Sequence, residues 1–197
     1  STATVAMSWE NRMIPFTVSA DVHALQIAAF EADFRTTRPY YDYISAASYC
    51  IQNDVALDKA LEWMDRAIYS RVIGEKNFRT LSTKSAVLMK MNRFDEAKRV
   101  MEEAIPLGNV TDVHFYARQL LNLRQLDEAL KVFKLNYERH PNVFTTNVGM
   151  GRAYAASGDF KKALTYMKAA LPQSPDDLNK TSVEAMIKKL EARQDIN

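Results

Sequence analysis

Glycine and proline are scarce in this 197-residue chain, 5 and 6 residues respectively. An all-β domain needs a turn residue roughly every eight to twelve positions, so that shortage favours helices. Cysteine occurs once, at Cys50. No intrachain disulfide or cysteine metal cluster can form, and the thiol is expected as a small buried residue in a helix. Neither sign of charge dominates: 26 Lys and Arg face 24 Asp and Glu, a net +2. A nucleic-acid binder would show a basic excess, so none is expected as a partner. No apolar run approaches the roughly 20 residues that span a bilayer. The first five residues lack the basic and apolar regions of a signal peptide. The chain also begins without Met and reads as a processed or trimmed product.

The chemistry-bearing patterns are thin as well. The three histidines, His23, His114 and His140, stand at no metal-ligand spacing from one another or from Cys50. His140, before Pro141, reads as a residue at a helix C-terminus, where a cation suits the dipole. No P-loop, GxGxxG or GxSxG segment occurs, and Gly149-Met150-Gly151 opens no strand–turn–helix unit. Gly151 reads instead as a small position where two helices touch. The acidic pairs Glu102-Glu103 and Asp176-Asp177 are sequence neighbours, not carboxylates converging across a cleft. The expectation is a non-enzymatic protein with no cofactor and no metal.

What the chain does hold is an internal repeat. Leu57-Asp58-Lys59-Ala60 is followed by Met64, and Phe94-Asp95-Glu96-Ala97 by Met101. Leu126-Asp127-Glu128-Ala129 leads in the same way to Phe133, and Phe160-Lys161-Lys162-Ala163 to Met167. The alanines are 37, 32 and 34 residues apart. A small residue lets two helices approach, and the bulky one four positions on lies on the same helix face and fills the adjoining gap. Pro141 and Pro175 are again 34 apart. The last repeat adds Gly151 and Tyr154 before its alanine and a Gly158-Asp159 turn.

In these residues the chain resembles tetratricopeptide-repeat proteins over about 41–175, a family whose period is near 34. The resemblance implies an all-α solenoid of about four helical hairpins, at about 41–74, 78–109, 110–141 and 144–175, with flanking helices. A capping helix at about 178–193 fits, with Thr181-Ser182-Val183-Glu184 at capping-box spacing and an apolar stripe of Val183, Met186, Ile187 and Leu190. Trp63, Phe133, Tyr154 and Tyr166 are expected in the core.

Residues 1–20 differ. Val5 and Met7 alternate with small or polar residues, Trp9 to Arg12 can turn the chain, and Met13 to Val18 is strand-like with Pro15 at an edge. Two short strands alone are marginal, so this segment is expected to be a β-hairpin remnant of an absent upstream domain, ahead of a helical domain at 21–197. A helix is expected from Asp21, with an apolar stripe of Val22, Leu25, Ala29, Phe30 and Phe34 and a stop at Arg38-Pro39. Ser8-Trp9-Glu10, Ile14-Pro15-Phe16, Ala46 to Cys50 and Leu57 to Ile68 resemble the C-terminal part of bacterial envelope proteins of unknown function. Those proteins join an N-terminal β domain to tetratricopeptide-like helices. That resemblance implies the periplasm or cell envelope as the compartment.

The tetratricopeptide resemblance also implies a groove lined by the first helix of each hairpin. Carried onto this chain, its candidate residues are Tyr49, Asn53, Arg79, Ser82, Lys90, His114, Arg118, Asn122, Thr145 and Arg152. Four of them are basic. The expected function is a protein-interaction scaffold that holds an acidic peptide or partner segment, partly through Arg–carboxylate pairs. The Lys and Asn of the family's carboxylate clamp are missing: Ser45 and Tyr49, or Ser82 and Ala86, stand there. Two alternatives remain open. One is an accessory or dimerisation domain, with a homodimer through the N-terminal strands. The other is a glycan-binding protein that uses Tyr40, Tyr41 and Tyr43.

Overall fold

The computed structural model describes residues 2–197, so Ser1, the first residue of the expected hairpin segment, lies outside the described residues. Among them, ten α-helices follow one β-hairpin, and the fold is all-α and tetratricopeptide-like. The chain packs as two compact units, one ending at Pro106 and one comprising Leu107–Asn197.

The first unit opens with β1 (Thr2–Trp9) and β2 (Arg12–Ser19), paired antiparallel from Thr2 opposite Ser19 to Trp9 opposite Arg12. Glu10, at φ 51°, takes the left-handed conformation that tight hairpin turns use. Directly paired residues share a face. Val5, Met7 and Trp9 therefore lie with Val18, Phe16 and Ile14 on one apolar face, while Thr2, Thr4, Thr17 and Ser19 lie on the other. Every described hairpin residue is exposed.

Helix α1 (Val22–Asp33) starts at Asp21, whose carboxylate accepts from the Ala24 N–H at 3.0 Å. Its expected stripe is only partly the buried face. Phe30 and Phe34 turn inward with Ile27, whereas Val22, Leu25 and Ala29 are exposed. Apolar residues occur on both sides of α1, and the aromatic pair one turn apart decides which side docks. Phe34 stacks on Tyr43 at 4.0 Å between centroids and meets Trp63 edge-on at 5.3 Å. The helix also ends before Arg38-Pro39, and Arg38 pairs back to Asp33 at 3.1 Å.

Two helical hairpins complete the first unit: α2 (Tyr40–Asn53) with α3 (Leu57–Tyr69), and α4 (Phe78–Lys90) with α5 (Phe94–Ala104). The second unit holds α6 (Val110–Asn122) with α7 (Leu126–Arg139), then α8 (Phe144–Ala156) with α9 (Phe160–Ala170), and finally α10 (Asp177–Glu191). Ala60, Ala97, Ala129 and Ala163 are buried, as are Met64, Met101, Phe133 and Met167. The repeated small-and-bulky pattern is thus the seam along which each hairpin closes. Between its two helices, each hairpin bends through a residue of positive φ: Asp54, Asn92, Arg124 or Gly158.

Caps explain several helix starts. Asn109, where the repeat lacks its proline, accepts from the N–H groups of Thr111 and Asp112 and forms a capping box with Asp112. His140 is the C-cap of α7. Helix α10 begins before Thr181: Asp176 caps it by accepting from Asn179 N–H at 2.8 Å, leaving Thr181 and Ser182 inside the helix. A carboxylate at the N-terminus also suits the dipole. Cys50 is fully buried in α2, and burial pushes its thiol pKa up. Trp63 and Phe133 are core residues, but Tyr154 and Tyr166 are only half-buried and stack on each other at 5.7 Å.

Candidate site on α6, α8 and α10

In the second unit, α6, α8 and α10 lend side chains to one recess of ≈ 290 Å³. Four of the candidate residues converge there: His114, Arg118, Thr145 and Arg152. The lining reveals a register. Thr111, His114 and Arg118 of α6 recur after a step of 34 as Thr145, Val148 and Arg152 of α8. The same step leads to Asn179, Ser182 and Met186 of α10. Helix α10 therefore presents to the recess the positions that the first helix of a further repeat would present. Phe115, Phe144 and Val183 complete the wall, and no acidic side chain is among the lining residues.

His114 is buried between α7 and α8, with its ring edge-on to Phe133 at 5.5 Å. Its Nδ1 faces Gly149, where a Cβ would sit 3.2 Å away. Burial first, and then the positive charges of Arg118 and Arg152, hold the His114 pKa down to about 4, against the raising effect of a hydrogen bond that the imidazole donates to the Thr145 backbone. The imidazole is therefore neutral near pH 7. Burial also lowers the Arg152 pKa, assisted by Arg118 and opposed by Asp195. Arg152 Nη1 donates to the Ile196 carbonyl at 3.1 Å, while its buried Nε has no protein acceptor. Two guanidiniums beside a neutral imidazole, with no lining carboxylate, give a local excess of positive charge suited to an anionic group.

The other candidates lie apart from this recess. Asn122 is exposed at the end of α6. In the first unit, Tyr49 is half-buried under α1, with its hydroxyl 2.8 Å from His23 Nδ1 and its ring edge-on to Phe30. Asn53 is exposed and donates to the Tyr49 carbonyl at 2.8 Å. Arg79 and Lys90 are exposed, and Ser82 donates back to the Arg79 carbonyl at 3.1 Å. A recess of ≈ 510 Å³ in this unit is lined chiefly by α1, including His23 and Glu31, and by none of these five candidates. Tyr43 is fully buried between Phe34 and the Arg66 guanidinium, so it offers no surface for stacking a sugar. Among the described residues no group of three His, Cys, Asp or Glu side chains is placed to hold a metal ion.

The recess residues that the sequence reading missed, Asn179, Ser182 and Met186, carried a signal. It was the repeat step itself, hidden because no second-helix pattern follows α10 among the described residues to mark it as part of a repeat. Phe115, exposed at the rim, carried no such mark.

The tetratricopeptide repeat profile matches residues 145–177, which span α8 and α9. A search of the curated proteins gave no match. Among solved structures, MamA of AMB-1 is 15% identical, with 77% of this chain and 88% of that chain covered and a TM-score of 0.46. YrrB, described as a tetratricopeptide protein with an unusual peptide-binding site, is 21% identical, with 85% and 86% covered and a TM-score of 0.44. MamA of MSR-1 is 14% identical, with 78% and 95% covered and a TM-score of 0.43. Residues 145–177 thus match a tetratricopeptide repeat, within a chain whose helical hairpins are closed by one recurring seam.

Proposed function

We propose that this chain is a non-enzymatic interaction scaffold, and that the recess on α6, α8 and α10 takes a peptide segment bearing a carboxylate. One observation carries the reading: Arg118 and Arg152 line the same recess as a neutral His114, and no acid lines it with them. A guanidinium that meets a carboxylate in a partly desolvated site forms a strong, geometrically selective pair. The exposed Phe115 ring beside it offers apolar contact of the kind that anchors peptides.

The test is an immobilised peptide library graded in net charge, probed with the chain and with an Arg118→Glu variant of equal thermal stability. Acidic peptides should be retained by the original chain and lost about tenfold or more by the variant, the scale of a charge-assisted hydrogen bond. Equal retention of acidic and basic peptides by both proteins contradicts the reading.

The hairpin favours a second reading, an accessory or dimerisation role. Its apolar face is exposed, with Trp9 at 77%, and among the described residues each strand pairs in the sheet only with the other, which leaves an open edge on both. Sedimentation of the chain with and without residues 1–20 tests it. Self-association should disappear with the hairpin, and an unchanged mass in both proteins excludes dimerisation through these strands.

A further inference from the structure

The segment beyond α10 does not run off into solvent. Arg193, at φ 56°, turns the chain, and the Gln194 N–H donates to the Lys189 carbonyl at 2.9 Å, closing the helix end. The next residues come back against α8. Ile196 is 7% exposed and belongs to the same apolar cluster as Val148, Val183 and Met186, three residues that also line the recess. Its carbonyl accepts from Arg152 Nη1 at 3.1 Å, and Asn197 Nδ2 donates to the Arg152 carbonyl at 3.1 Å. Asp195 puts its negative charge toward the Arg152 guanidinium. It also accepts from the Ile196 N–H at 2.7 Å and from Asn197 Nδ2 at 2.8 Å.

These contacts have the form of a bound peptide: main-chain and side-chain hydrogen bonds fix the direction, and one aliphatic side chain is inserted. We propose that residues 195–197 are a resident peptide docked on Arg152 beside the recess, and that what displaces them is an extended segment with an acidic residue followed by a branched aliphatic one. This rests on the peptide-binding reading above. It adds the composition of the partner segment and a built-in competitor that sets how tightly that segment must bind. A short tether holds such an occupant at an effective concentration on the order of millimolar, so a weak external copy is excluded until the occupant is loosened.

The probe is a fluorescein-labelled peptide reproducing residues 191–197, read by anisotropy with the full chain. The unsubstituted chain should bind it weakly. An Ile196→Ser chain should bind at least about tenfold tighter, because the resident side chain no longer competes. An Asp195→Ala/Asn197→Ala chain keeps Ile196 and its apolar burial. It should gain about threefold, and it decides the matter if Ile196→Ser destabilises the unit. Adding Arg152→Gln to either variant should abolish the gain, and so should replacing the isoleucine of the peptide by serine. Equal binding by the original chain and both folded variants, or a gain indifferent to Arg152→Gln, overturns the assignment.

Arg118 makes no contact with the tail in this scheme, so its charge reversal reads the parent proposal separately. A chain that loses acidic peptides through Arg118→Glu, yet gains nothing through Ile196→Ser, keeps the recess and discards the resident occupant.

Discussion

Gly149 lies against the ring of Phe133: a Cβ at 149 would stand 2.6 Å from Cδ1 and 2.9 Å from Cε1, and 3.2 Å from His114 Nδ1. Phe133 is itself fully buried, so the ring has little room to withdraw. Gly151, two residues on, faces Met167, with Cε at 2.7 Å and Cγ at 2.9 Å. Methionine is unbranched and adapts where a buried ring cannot. Gly149→Ala should therefore lower stability by about 1–3 kcal/mol, the usual cost of overpacking. Gly151→Ala should cost less, because Met167 can give way where Phe133 cannot, while the helix propensity of roughly 1 kcal/mol is regained at both positions. Urea unfolding of the two variants checks the order, and a larger loss at 151 would refute it.

The bend between α6 and α7 passes through Arg124 at φ 60°, while the corresponding bend between α8 and α9 uses Gly158 at φ 80°. A side chain in the left-handed region costs roughly 1–2 kcal/mol. Glycine removes that strain but gives back part of it as unfolded-state entropy. Arg124→Gly should raise stability by about 0.5–1 kcal/mol. Gly158→Ala has open space around it, yet should lower stability by about 1 kcal/mol through backbone strain alone. Differential scanning calorimetry resolves both signs, and a stabilising Gly158→Ala would contradict the argument.

In the first unit, Phe34 is the residue that fixes α1. It is buried, stacked on Tyr43 and edge-on to Trp63. Phe34→Ala removes its ring contacts with Phe30, Tyr43 and Trp63 and leaves a cavity, at a cost of about 3–5 kcal/mol. Trp63 lies beside the vacated volume, so its emission should shift to the red before global unfolding. Unchanged emission together with an unchanged urea midpoint would mean that α1 is held by something else.

The helical hairpins were legible because one small and one bulky residue recur at fixed spacing, and both kinds prove buried at the seam. The hairpin was legible in part: Val5 and Met7 alternate with small or polar residues, and the turn falls within the Trp9 to Arg12 stretch. Less could be read where two patterns compete. On α1, Val22, Leu25 and Ala29 mark a stripe as convincing as Ile27, Phe30 and Phe34, and only docking against Tyr43 and Trp63 selects between them. At α10 a capping-box spacing at Thr181 competed with the Asp176 carboxylate, which caps Asn179 and starts the helix earlier. For the recess, the residue types were in plain view but their convergence was not. His114, Arg118, Thr145 and Arg152 meet because α6 and α8 lie side by side, while Tyr49 is taken up by His23 of α1. The return of Ile196 onto the α8 and α10 side chains carries no periodic signal, since it depends on a single turn at Arg193.

His114 makes the stability of the second unit depend on pH in a window of its own. In the folded chain burial and the two arginines hold its pKa near about 4, against an ordinary 6.5. Above pH 6.5 the imidazole is neutral whether the chain is folded or not, and the group has no effect. As the pH falls from 6.5 toward 4, only the unfolded chain takes up the proton, so the folded state loses stability, by about 3 kcal/mol in all. Below about 4 both states are protonated and this loss levels off. Asp159 and Asp176, whose carboxyls are held below their ordinary 3.8 by hydrogen bonds to Lys162 and Asn179, contribute their own loss only below that window. Urea midpoints measured from pH 7.5 to 4 should therefore fall steeply in the original chain and much less in a His114→Gln variant. An acidic peptide seated between Arg118 and Arg152 would neutralise two of the causes that depress the imidazole. Its binding should raise the His114 pKa and strengthen as the pH falls toward 5. A proton titration of the imidazole by NMR, with and without the peptide, reads this directly: an upward shift places the carboxylate beside the arginines, and an unmoved pKa removes it from the recess.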